Sequence, residues 1–349
     1  MQKPDQDSET TLSELHRDDA CHLTELESGN HEWWYFDVIE NEINLALRVC
    51  ARLGTDPTSK RVVPQLFFSL QLGDYNTYYT KRYRLCDFSA SPATCEVALG
   101  NAFSAVLINE DRDYTYHVSF HLDGCHADLH FAANLDPYRP IAENMSAKKR
   151  KKTAEFFWFI PLPRAFVTGS ITVDGEEHQL RNGIGYHDHN YWKVGLPRKL
   201  QIYNVINDWC WGRFANDKYT AIFLCARYFG NCSLKVLMIA ENNAIIHNSV
   251  NEAIFTTIES KTEGMDASVY PSSLFIESAG NGYPIKMSVR SVKIIDKTDL
   301  LEYTPPFLKR VIEICRAKPR YIGLLADGSL SMNGTNEHGR CIYEYQRIS

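Results

Sequence analysis

Residues 116–131, YHVSFHLDGCHADLHF, alternate strictly on both sides of Asp123-Gly124: Tyr116, Val118, Phe120 and Leu122 lead into the pair, and Cys125, Ala127, Leu129 and Phe131 lead out of it. A period of two belongs to an extended strand with one buried face, and Asp-Gly accepts the positive φ angles of a tight turn. The stretch is therefore expected to be a β-hairpin. Its other face sets His117, Ser119 and His121 against His126, Asp128 and His130, expected to meet across two strands on the solvated exterior. Upstream, Ile43, Leu45, Leu47, Val49, Ala51 and Leu53 alternate in the same way, as do Leu66, Phe68, Leu70 and Leu72. Asp174-Gly175 and Asp327-Gly328 repeat the hairpin signal. With 19 Tyr, 17 Phe and 6 Trp, residue types favoured in strands, the chain reads as an all-β, antiparallel protein. One helical spacing stands out, Leu308, Val311, Ile312 and Cys315 after Pro305-Pro306, and predicts a short accessory helix.

At 349 residues, 44% hydrophobic and 23% charged, the composition is globular and long enough for about two domains, which excludes a disordered chain, a collagen-like repeat and a disulfide miniprotein. A net charge of −6 gives no broad basic field, so nucleic acid is not an expected partner. The first twenty residues lack the apolar run of a signal peptide and no later stretch is apolar enough to span a bilayer. A cytoplasmic protein without stable membrane insertion is expected. The run Lys148 to Lys152 leaves peripheral contact with a membrane open, although a solvated loop over Asn134 to Glu155 is the plainer reading. Ten scattered cysteines form no C-x-x-C pair and are expected to be reduced and buried; neither a metal nor a cofactor is called for. The expected division is a polar, poorly ordered segment over 1–25, a first domain over 26–195 and a second over 196–349.

Two segments carry the chemistry. In HEWWYFD, residues 31–37, alternation places His31, Trp33 and Tyr35 on one face and Glu32, Trp34 and Phe36 on the other. A carboxylate among aromatic rings loses hydration of its charged form, so the pKa of Glu32 is expected to rise. In GIGYHDHNYW, residues 183–192, Tyr186, Asp188 and Asn190 share one face and His187, His189 and Tyr191 the other, with glycines at 183 and 185 that let a backbone or ligand come close. A metal held by the two imidazoles lacks an identifiable third ligand; a buried network around Asp188, or a structural polar cluster, fits the same residues.

Taken together, HEWWYFD, the stretch Trp158 to Gly175 (WFIPLPRAFVTGSITVDG) and GYHDHN resemble the signature order of the carotenoid 1,2-hydratase (hydroxyneurosporene synthase) and AttH-like lipocalin superfamily, which also includes fungal lipocalin-like Diels-Alderases. WCWGR, holding Trp209 and Trp211, and the closing GRCIYEY, residues 339–345, sit where that family has similar elements, so the resemblance runs from about residue 25 to the end. It implies two tandem lipocalin-like barrels with an apolar cavity for a long hydrophobic molecule. The chain departs from hydratases in reading His189-Asn190-Tyr191-Trp192 where they carry H-N-W-G, and in having no acid in the strand Ile222 to Arg227.

The activity implied is protonation of a carbon-carbon double bond in an isoprenoid or polyene, followed by hydration or cyclisation. Asp188, kept neutral by desolvation, is the first choice for the acid and Glu32 the second. His187 or His189 returns the proton or positions water, with Tyr186 beside them. His31, Trp33, Trp34, Tyr35, Asn190, Tyr191, Trp192, Trp209 and Trp211 are expected to line the substrate, the tryptophans facing a carbocation. The alternatives are a Diels-Alderase-like pericyclase and a lipid or isoprenoid carrier without turnover.

Overall fold

A computed structural model describes residues 13, 15–23, 30–55, 61–109, 114–140, 145–149, 152–194, 206–228, 232–263, 268–280, 283–299, 306–307, 310 and 320–347. They form two antiparallel sheets. The first holds β1 (His31–Glu40), β2 (Leu45–Thr55), β3 (Val62–Leu72), β4 (Tyr75–Arg82), β5 (Phe88–Ala90), β6 (Glu96–Leu99), β7 (Phe103–Asn109), β8 (Thr115–Leu122), β9 (Cys125–Ala133), β10 (Met145–Lys149), β11 (Lys152–Val173) and β12 (Glu176–Val194). Its order is β4-β3-β2-β1-β12-β11-β9-β8-β7-β6-β5, with β10 on β11, so the first and last strands pair in the middle.

The second sheet repeats this plan. It contains β13 (Ile206–Ala215), β14 (Tyr219–Tyr228), β15 (Cys232–Glu241), β16 (Ala244–Val250), β17 (Ile254–Glu263), β18 (Ser268–Ala279), β19 (Pro284–Asp299), β20 (Arg320–Met332) and β21 (Thr335–Arg347), ordered β16-β15-β14-β13-β21-β20-β19-β18-β17. Each sheet curls over its own core, and the chain is an all-β pair of lipocalin-like barrels. The chain divides into two compact units: one takes residues 1–75, 80–146 and 153–198, and the other 76–79, 147–152 and 199–349.

The alternating residues named above become the cores. Leu45, Leu47, Val49, Ala51, Leu53, Tyr116, Val118, Phe120, Leu129 and Phe131 are all buried. Rings from strands far apart in the first sheet touch across its concave side: Phe36 of β1 lies 6.0 Å from Tyr116 of β8, and Phe68 of β3 lies 5.2 Å from Phe120. These contacts place aromatic side chains in the first interior.

Three expectations change. Asp327-Gly328 is no turn: it lies inside β20, and Asn333 and Gly334, with φ of 47° and 76°, make the reversal. A Cβ on Gly328 would sit 2.6 Å from Cys341 Sγ and from a Phe214 ring carbon, so the glycine serves close packing. Part of the N-terminal segment read as poorly ordered is packed into the first unit: residues 15–19 are helical and Leu15, Asp18, Asp19, Ala20 and Leu23 are buried. Within the expected loop 134–155, β10 pairs with β11. Leu308, Val311, Ile312 and Cys315 of the expected helix lie outside the described residues; of that region 306, 307 and 310 are described, as helical. No helix of the described residues is long and apolar enough to cross a membrane.

Candidate functional site

The two chemistry-bearing segments are neighbours. HEWWYFD is β1 and GYHDHN lies in β12, and the ladder sets Glu32 opposite Tyr191, Trp33 opposite Asn190, Trp34 opposite His189, Tyr35 opposite Asp188, Phe36 opposite His187 and Asp37 opposite Tyr186. Because side chains alternate, this register sorts the residues expected to form one site onto two faces of the sheet.

The concave face holds Glu32, Trp34, His187, His189 and Tyr191, and the N-terminal segment comes down on it. Glu32 Oε1 accepts from the His22 backbone N–H at 2.7 Å and from His189 Nε2 at 3.0 Å, while Oε2 accepts from the Leu23 backbone N–H at 3.0 Å. Burial pushes the Glu32 carboxyl up, but the hydrogen bonds from His189 and His22 outweigh it and hold the pKa at about 2. The expectation of a raised pKa is overturned. Glu32 is an ionised anchor, unsuited to protonating an alkene.

Asp19 plays the matching part. Its carboxylate accepts the Tyr116 hydroxyl at 2.6 Å and His187 Nε2 at 3.1 Å, and the Asp19 carbonyl accepts the Trp34 indole N–H. The second nitrogens of the histidines are also engaged, His187 Nδ1 with the Tyr35 carbonyl and His189 Nδ1 with the Asp18 carbonyl, both at 2.9 Å. All four ring nitrogens therefore lie within hydrogen-bond distance of an oxygen. Phe36 stacks on His187 with centroids 3.9 Å apart and Trp34 on His189 at 4.7 Å. His187 and His189 thus fasten the N-terminal segment, and no ring nitrogen is left to return a proton or hold water. His22, Glu32 and His189, like Asp19, Cys95 and His187, are metal-ligand types with donor atoms within 4.8 Å, but they are spent on this network.

The opposite face gathers Trp33, Tyr35 and Asp37 from β1, Tyr186, Asp188, Asn190 and Trp192 from β12, and Trp158 from β11, where it pairs with Asn190. Asp188 is its centre and is 5% exposed. Three donors converge on the carboxyl: Trp158 Nε1 at 3.0 Å and the Tyr186 hydroxyl at 2.8 Å on Oδ2, and Asn190 Nδ2 at 2.9 Å on Oδ1. The Tyr35 hydroxyl donates to Asp37 Oδ2 at 3.1 Å. Burial drives the Tyr186 phenol well above its ordinary range and keeps it protonated, so its hydroxyl is the donor to Asp188. His31, at one end of this face, lies 3.0 Å from Arg52 Nη2, and burial with the Arg52 charge keeps its pKa well below the usual value. Trp33 lies under the Arg52 guanidinium, and Trp192 packs on Phe156 with centroids 4.5 Å apart.

Asp188 therefore lies on the face opposite Phe36 and His187, in a polar and aromatic patch. Gly185 admits no ligand: a Cβ there would lie 2.4 Å from Val167 Cγ2 and 2.7 Å from Phe131. Trp209 and Trp211 belong to the second unit, where Trp209 Nε1 donates to Glu344 at 3.2 Å. Asp37 was within reach of the sequence, since alternation puts it with His31, Trp33 and Tyr35. Asp19 and His22 left no such signal, because their places depend on contacts between distant segments.

No protein-family model matches the sequence, and no curated protein does. Solved structures do match. A crystal structure from Nitrosomonas europaea assigned as an AttH has a TM-score of 0.65 at 11% identity, over 95% of this chain and 96% of that one. Kievitone hydratase from Nectria haematococca gives 0.61 at 15%, over 92% and 90%, and CghA with Sch210972 gives 0.58 at 13%, over 92% and 89%. The chain has the AttH-like fold. At these identities the likeness carries the architecture alone. Within this AttH-like frame, β1 and β12 are the seam where the first sheet begins and ends, and both faces of the seam carry buried polar side chains.

Proposed function

We propose that the protein is a hydratase or cyclase that protonates a carbon-carbon double bond of a long isoprenoid or polyene, with Asp188 as the acid. The observation that carries this is the convergence of Trp158, Tyr186 and Asn190 on one buried carboxyl. Burial favours the neutral acid before transfer, and the three donors then receive the carboxylate that protonation of an alkene leaves behind. The proton passes from Asp188 to one alkene carbon and the positive charge forms at the other. Water adding to that carbon loses its proton back to Asp188; alternatively a hydroxyl of the same molecule closes a ring and loses its proton to Asp188, or a second alkene closes one and the new cation loses a proton from an adjacent carbon to Asp188.

Tyr186 holds Asp188 and stays neutral, while Trp33, Trp158 and Trp192 supply π-faces for the cation, each good contact worth about 0.5–2 kcal/mol. Trp192 Nε1 is buried and, among the described residues, has no hydrogen-bond partner, a donor for an oxygen on the substrate. One structural neighbour is a hydratase, which supports the hydration branch of this reading. The eight cysteines whose side chains are described are all free, in keeping with a cytoplasmic enzyme.

The test is incubation with a panel of isoprenoids, polyenes and acyl tetramic acids, followed by mass spectrometry. A gain of about 18 mass units means hydration, and an unchanged mass at a new retention time means cyclisation. Asp188→Asn is expected to cut turnover by about 10²-fold or more. Turnover that survives this substitution, with only KM altered, would replace the acid by a shape-driven pericyclic reaction. Reversible binding without any product would leave a carrier.

A further inference from the structure

The outward face of the β8–β9 hairpin carries a constellation that the reaction above does not use. The register sets His117 opposite His130, Ser119 opposite Asp128 and His121 opposite His126. The two histidine pairs stack, with ring centroids 5.0 Å apart for His117 and His130 and 3.8 Å for His121 and His126. Asp128 leans toward the first pair: its Oδ1 lies 3.0 Å from His117 Nε2 and 3.7 Å from His130 Nε2.

We propose that His117, Asp128 and His130 bind a divalent transition-metal ion of the zinc class. Their donor atoms all lie within 4.8 Å of one another. Two ligands about 2.05 Å from a tetrahedral ion are about 3.3–3.4 Å apart, and the distances from Asp128 to the two imidazoles bracket that separation. Little adjustment is needed, because adjacent strands of one hairpin fix the three backbone positions. Two imidazoles and a carboxylate favour Zn²⁺, Cu²⁺ or Ni²⁺ over Mg²⁺ and Ca²⁺, which prefer sets of oxygens.

Accessibility separates this set from the two buried ones. The side chains of His117, Asp128 and His130 are 32%, 64% and 46% exposed, so a hydrated ion reaches them, whereas Glu32, His189, Asp19 and His187 are sealed within their own ion pairs. Three protein ligands leave a fourth position for water or a small oxygen ligand. Asp128 also borders a cleft of about 450 Å³ whose walls include Ser104, Ser119, His121, His126 and Thr172. The cleft gives such a ligand room and hydroxyl groups to meet.

The experiment is zinc titration of the full chain, freed of metal with a chelator, by calorimetry, with Co²⁺ as a second probe read by its visible absorption. One saturable equivalent is expected. Even outer-shell changes typically weaken metal binding by about 10–100-fold, so His117→Ala and His130→Ala should each raise the zinc dissociation constant by about tenfold or more and abolish the Co²⁺ bands. His121→Ala and His126→Ala should leave both unchanged. All four positions are on an outward face, and melting of the metal-free variants checks that they fold. Absence of saturable binding, or binding that survives loss of His117 and His130, overturns the site; loss of binding in His126→Ala moves it to the other histidine pair and overturns the assignment as well.

Discussion

Glu32 and Asp188 sit on paired strands, both buried and both ringed by aromatic side chains, and their different environments come from the donors that reach them. Glu32 receives two backbone N–H groups and two imidazoles from segments that touch it only in the folded chain. Its pKa of about 2 lies below the ordinary glutamate value of 4.5, so its stabilising contribution is complete above about pH 4.5 and is lost as pH falls through 2. Glu32→Gln should lower stability near neutral pH by about 1–3 kcal/mol, since it takes the carboxylate from buried His189 Nε2 and from two backbone N–H groups. Melting measured from pH 6 to pH 2 should fall more steeply for the parent chain than for the variant; parallel curves would show that Glu32 is not the anchor. The faces shared by these residues were legible from alternation alone. The pKa of Glu32 was not, because aromatic neighbours are visible in the sequence while the approach of His22 and Leu23 is not.

At the scale of elements, the strand cores and the Asp123-Gly124 and Asp174-Gly175 hairpins follow from period and turn chemistry, and the failures have physical causes. Asp-Gly marks a turn only where the glycine is needed for its backbone angle; at 328 it is needed because Cys341 and Phe214 occupy the space of a Cβ. Gly328→Ala is expected to cost about 1–3 kcal/mol through overpacking, although the residue lies in a regular strand. A urea midpoint equal to that of the parent would remove this explanation. The N-terminal segment misled for a related reason: its polar residues read as solvated, whereas Asp19 spends its carboxylate on Tyr116 and His187 inside the barrel. Removing residues 1–23 should strip Trp34 and both histidines of partners, so the shortened chain should melt lower and bind a hydrophobic dye. A chain that melts unchanged would make the segment dispensable.

The whole molecule repeats one plan. In each sheet the first and last strands pair, β1 with β12 and β13 with β21. The sequence shows no short repeat because the plan is one of strand pairing, and pairing constrains which faces are apolar more than which residues supply them. The second core includes Phe223, Leu237, Ile276, Val289 and Tyr343, all contributed by the second unit. Cores that share no residues can lose their packing separately, so calorimetry is expected to resolve two transitions. Phe223→Ala should cost about 3–5 kcal/mol and lower one of them by roughly 6–20 °C, leaving the other in place. Phe68→Ala, in the first core, should do the reverse. A single transition lowered by either substitution would mean that the two cores unfold as one cooperative body, and the pairing of first strand to last would then describe topology without marking independent units.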